Sequence, residues 1–199
     1  MRTILYLHGF RSSPASFKAR RLQDHFSARG ESRRFVCPQL PPSPREAMAL
    51  IRTLVREHVA VNAAEDPADG IAVIGSSLGG FYATAVAEET GCRAVLVNPA
   101  VWPARDLAKY IGEQKAWHSD ERFWFRAEYI AELEELTVQR ITRAQRYLLL
   151  AATGDEVLDW REMTARYAGA CQHVIEGSDH GLSDFDDYLD EVVRFCEDK

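Results

Sequence analysis

Apolar residues in this chain gather in short runs at positions 3–7, 34–36, 71–74, 94–97, 147–151 and 173–175, each too short for a helix and rich in aliphatic side chains. Between them lie longer stretches in which apolar and charged residues recur at helical spacing. Strands that are apolar throughout, alternating with amphipathic helices, predict a mostly parallel sheet covered by helices on both faces, an α/β fold. After the first run, Ser13 and Pro14 form an N-cap and first-turn pair, opening a basic amphipathic stretch that ends near Gly30. Residues 38–44, PQLPPSP, hold four of the eight prolines, so they read as an extended connection into a helix beginning near Arg45. In the acidic segment 183–199, Phe185, Leu189, Val192, Val193 and Cys196 share one helical face, predicting a last helix packed on the sheet. The rhythm breaks between 102 and 146, where Trp102, Tyr110, Trp117, Phe123, Trp124, Phe125 and Tyr129 stand among charges, and a helical cap insertion is expected there.

With 199 residues, 46% of them hydrophobic, the chain can bury one substantial core, so residues 1–199 are expected to form a single domain with a cap-like insertion at about 100–146. The net charge of −6, with both signs mixed, supplies no basic stripe for a nucleic acid. Lys18, Arg20 and Arg21 are expected on the solvated face of the first helix, the alternative being attraction of the phosphates of an acyl-CoA. No apolar run approaches the roughly 18 residues of a membrane span, and the N-terminal run lacks a signal-peptide pattern, so a cytoplasmic location is expected. Cys37, Cys92, Cys171 and Cys196 have no metal-ligand spacing and read as reduced, mostly buried thiols; neither metal nor cofactor is implied.

The strongest local signal is the GxSxG in Gly75-Ser76-Ser77-Leu78-Gly79-Gly80, which follows an apolar run and opens a helical one. Such a pattern arises by chance in about 7% of chains of this length, so its strand-to-helix context carries its weight. A nucleophile on that sharp turn occupies a strained backbone region, and the residues two before and two after it, Gly75 and Gly79, must be tiny. A dinucleotide fingerprint or phosphate loop would need GxGxxG or a lysine, which GSSLGG lacks. Serine needs a base, and His180, in a loop after the last predicted strand, is the candidate. The imidazole needs a carboxylate, and Asp155, first to leave the strand that ends at 152, is favoured over Glu156 and Asp159; Asp179 reads as a turn residue. The order serine, acid, histidine is that of α/β hydrolases. The oxyanion-hole donors are then the backbone N–H groups of Leu78 and Phe10, the latter in a loop where Gly9 allows close approach and His8 gives structural support. Nearby, Arg11, Ser12 and Ser13 could meet a polar leaving group, although capping accounts for Ser13 equally well.

YLHGF at 6–10, PQLPP at 38–42, GSSLGG at 75–80, NPAV at 98–101, TGDEVLDW at 153–160 and IEGSDH at 175–180 together resemble the YqiA-like family of small bacterial esterases, in order and nearly end to end. That resemblance implies a compact α/β hydrolase acting on carboxylic esters, in some members on acyl-CoA thioesters, with Ser77, Asp155 and His180 at the triad positions. It is weakest over 102–146, where substrate choice is expected to be set. Other expectations are the same triad acting on lactones, amides or carbon–carbon bonds, or an idle hydrolase-like scaffold that binds a small molecule.

Overall fold

The structure, a computed structural model, describes residues 2–117 and 119–198. Six parallel strands, β1 (Thr3–Leu7), β2 (Phe35–Val36), β3 (Ile71–Ser76), β4 (Arg93–Val97), β7 (Tyr147–Ala152) and β8 (Cys171–Ile175), form one sheet in the order β2-β1-β3-β4-β7-β8. The direction of winding reverses between β1 and β3, so the loops leaving those two strands open the crevice in which open α/β sheets bind ligands.

Alternation along the strands divides the core. Ile4 and Tyr6 of β1, with Ala72 and Ile74 of β3, face α1 (Phe17–Ala28) and α8 (Leu189–Glu197), meeting Leu22, Phe26, Val192 and Cys196. Leu5, Leu7 and Val73 face the opposite layer, α2 (Pro44–Val61), α4 (Leu78–Thr90) and α7 (Trp160–Arg166), meeting Met48, Ile51, Tyr82 and Met163. A one-turn helix, α3 (Pro67–Gly70), leads into β3. Burial on both faces explains why β1, β3 and β7 read as unbroken apolar runs. Among the described residues, no helix is long and apolar enough to cross a membrane.

Several local expectations are corrected. Helix α1 begins at Phe17, not after Pro14; Ser13 instead accepts from the Ala15 N–H in a short turn. Cys92 and Cys196 are buried, but Cys37 is half-buried and Cys171 exposed on edge strand β8. The insertion is not purely helical. It holds two short helices, α5 (Pro103–Leu107) and α6 (Glu128–Glu135), and an antiparallel hairpin of β5 (Gly112–Lys115) and β6 (Arg122–Phe125). Buried Glu132 of α6 fastens the insertion to the proline-rich connection by accepting from the Ser43 hydroxyl (2.7 Å) and the Arg45 N–H (3.1 Å).

Candidate active site

Ser77 stands between β3 and α4 at φ 55°, ψ −121°, a conformation that a non-glycine residue holds only when its surroundings over-determine it. Three backbone bonds do so: its N–H donates to the Val97 carbonyl (3.0 Å), and its carbonyl accepts from Gly80 (2.9 Å) and Ala100 (3.0 Å). The turn also depends on missing side chains. A Cβ on Gly79 would lie 1.8 Å from the Leu7 carbonyl oxygen, and one on Gly75 would lie 2.3 Å from that of Gly79. The hydroxyl therefore rises at the N-terminus of α4, where the helix dipole favours negative charge.

His180, in the turn after β8, places Nε2 3.1 Å from Ser77 Oγ and Nδ1 2.7 Å from Asp155 Oδ2. Asp155 leaves β7 with its side chain fully buried, and its other oxygen accepts from the Val157 and Leu158 N–H groups, each at 2.8 Å. An ionised carboxylate only accepts, so Nδ1 carries the ring proton and Nε2 faces the serine hydroxyl as an acceptor. The alternatives lie elsewhere: Asp159 caps α7 through the Arg161 N–H, Glu156 accepts from the His180 backbone N–H, and Asp179 accepts from Ser183 N–H within its turn.

The loop after β1 passes directly by the nucleophile, since a Cβ on Gly9 would come within 3.0 Å of Ser77 Cβ. Buried His8 is committed to holding it. Its Nε2 accepts from the Leu40 N–H (3.1 Å), leaving Nδ1–H to donate to the Gly9 carbonyl (3.0 Å). The Phe10 ring packs against Tyr110, Phe123 and Phe125 of the insertion at centroid separations of 5.6, 5.9 and 5.1 Å. Arg11 continues the anchorage: at φ 62° it donates from Nε to the Lys115 carbonyl (2.6 Å) and lies 4.2 Å from the Trp117 ring centroid. The hairpin thus straps the insertion to the loop.

Two cavities meet at Phe10, Arg11 and Leu78. The smaller, about 140 Å³, is lined by Ser77, His180, Leu107, Tyr110 and Trp117. The larger, about 460 Å³, runs toward Leu40, Pro41, Pro42, Tyr82 and Phe123. Among the described residues, no group of three or more His, Cys, Asp or Glu side chains is arranged to hold a metal.

One residue of the site was given no role by the sequence, and another was misplaced. Asn98, at the end of β4, is fully buried at φ 42°. Its Nδ2 donates to the carbonyls of Asp179 and His180, each at 3.0 Å, and its Oδ1 accepts from the Ala152 N–H (2.8 Å), so one amide ties the histidine turn to the strand that delivers Asp155. A polar residue following the apolar run 94–97 and preceding a proline was the available signal. Lys18 is not on a solvated face: it is 8% exposed beneath the histidine turn, whereas Arg20 is exposed and Arg21 pairs with Asp186 on the surface.

Comparison with solved structures shows the α/β-hydrolase fold. A putative hydrolase from Agrobacterium vitis is 16% identical with a TM-score of 0.75, over 98% of this chain and 88% of that one. Est1E from Butyrivibrio proteoclasticus, solved with ferulic acid bound, is 14% identical with a TM-score of 0.70, over 98% and 88%. The esterase domain of a Rhodothermus marinus protein is 19% identical with a TM-score of 0.64, over 98% and 85%. The model of a family described as uncharacterised protein family UPF0227 matches residues 3–197.

Proposed function

The chain belongs to the UPF0227 family, the YqiA-like esterases that its sequence blocks resemble, and on that premise we propose that it is a serine hydrolase of carboxylic esters. The observation that carries the reading is the unbroken hydrogen-bonded series from Asp155 through His180 to Ser77, ending on a serine in a strained strand-to-helix turn. Esterase neighbours of the same fold lend it support.

In the proposed reaction, His180 Nε2 takes the Ser77 proton as Oγ attacks the substrate carbonyl. Asp155 holds the tautomer and stabilises the imidazolium. The oxyanion lies between the backbone N–H groups of Leu78 and Phe10, each contributing roughly 3–4 kcal/mol to the transition state. His180 then protonates the leaving alcohol, an acyl-enzyme remains on Ser77, and water deprotonated by His180 releases the acid. A thioester meets the same groups in the same order. No step draws on a cofactor or metal.

Hydrolysis of p-nitrophenyl esters from acetate to palmitate, with matching acyl-CoA thioesters, tests this in the wild type and Ser77→Ala. Turnover that disappears with the hydroxyl while the fold persists is expected. Equal turnover by Ser77→Ala would refute the assignment.

A further inference from the structure

Lys18 is the second residue of α1, and its ammonium is buried, although a lysine there could have extended into water at little cost. Nζ donates to the carbonyl of Gly181, the residue after His180. The charged groups facing it are the carboxylates of Asp179, from the same turn, and Asp155, from the turn after β7; on α1 itself, Arg21 is engaged with Asp186 at 2.6 Å. With Asn98 holding the two preceding carbonyls, three consecutive carbonyls, those of residues 179–181, receive buried donors from two separate elements. Such a turn can move only by breaking several part-buried hydrogen bonds together, which fixes where its imidazole points.

We propose that Lys18 is a positioning residue for the histidine: while protonated, it fixes the turn at 179–181 and so holds the His180 ring between Asp155 and Ser77. The proposal rests on the serine-hydrolase reading. Burial outweighs the two carboxylates and lowers the Lys18 ammonium to about 8. Below that pH the ammonium is charged and its bond to Gly181 is charge-assisted; above it the charge is lost, and with it the attraction to Asp155 and Asp179. Catalysis should therefore fall on the alkaline side, in a range where an ordinary lysine stays charged.

The test compares wild type, Lys18→Arg, Lys18→Met and Ser77→Ala on p-nitrophenyl butyrate from pH 6 to 9.5, with NMR of the downfield Nδ1–H proton shared by His180 and Asp155. The wild type should show an alkaline limb near pH 8 in kcat, and its downfield resonance should change over the same interval. Lys18→Met should lose about tenfold or more in kcat with KM within about twofold and no remaining limb, as expected for a lost charged hydrogen bond that acts through geometry. Lys18→Arg, charged throughout, should recover part of kcat and also lack the limb. Wild-type kcat in Lys18→Met, a limb that persists in Lys18→Arg, or a wild-type resonance unchanged across pH 8 would overturn the proposal. If Lys18→Met does not fold, the wild-type and Lys18→Arg profiles decide. Hydrolysis that survives Ser77→Ala would instead count against the serine-hydrolase reading, which separates the two failures.

Discussion

Replacing Asn98 by alanine removes one amide that serves three backbone groups and strands two of them. The Ala152 N–H loses its acceptor and the His180 carbonyl its donor, both at a side chain with no exposure, while the Asp179 carbonyl keeps the Leu182 N–H at 3.0 Å. The stranded N–H, buried in β7, costs about 2–3 kcal/mol, and the part-buried His180 carbonyl about 1 kcal/mol or less. Alanine at φ 42° adds about 1 kcal/mol, since asparagine tolerates that region better. Together these give about 3–5 kcal/mol, a large part of the 5–15 kcal/mol typical of a domain, so the variant should remain folded in the cold with little margin. Urea denaturation at 15 °C measures the loss. The kcat at that temperature should fall about ten- to a hundredfold, because the imidazole is no longer held in register. Asn98→Asp separates the two effects: it keeps the acceptor for Ala152 but offers no donor to the turn, so it too should lose kcat. A destabilisation below about 1 kcal/mol with kcat within about twofold of wild type would refute this account of the turn.

Asp155→Asn should lower kcat by about 10³–10⁴ while the protein stays folded, since an amide no longer enforces the Nδ1–H tautomer; steady-state kinetics with circular dichroism checks both points. Gly79→Ala should fail to accumulate as folded protein, because its Cβ would sit 1.8 Å from a backbone oxygen of β1 that has little room to retreat, and soluble yield reports this. The stability of Lys18→Met relative to wild type should depend on pH. A lysine lowered from 10.5 to about 8 binds fewer protons folded than unfolded between those values, so wild type should gain about 3 kcal/mol on the variant as pH rises through that interval. Cys37 and Cys92, pushed up to about 12 and about 11 by burial, act in the opposite direction in both proteins and cancel in the difference, so parallel denaturation curves would contradict the assignment.

Local pattern revealed the sheet because burial on both faces leaves the central strands β1, β3 and β7 unbroken by charge, and it revealed the serine turn because strain and close packing demand glycines at fixed offsets. The hairpin was hidden for the opposite reason. Its strands, GEQK and RFWF, are four residues long, exposed at alternate positions and carry three charges between them, and they pair with each other and join in the Arg11–Trp117 and Phe10 contacts made across a hundred residues. Lys18 was misread because helical periodicity reports which face is apolar, whereas here a charged residue is buried by a turn from the far end of the chain. Asn98 received no role from its own stretch of sequence; its three hydrogen bonds join β4, β7 and the histidine turn, a relation between segments that no local window contains.

The central claim is that Ser77 is an activated nucleophile, and covalent labelling tests it without knowledge of the natural substrate. A fluorophosphonate probe, followed by intact-mass and peptide mass spectrometry, should add one phosphonyl group to the wild type, on the peptide that contains Ser77. Labelling should be absent from Ser77→Ala and strongly slowed in His180→Ala. A wild type that stays unlabelled, or that is labelled at another residue and equally in Ser77→Ala, would contradict the account.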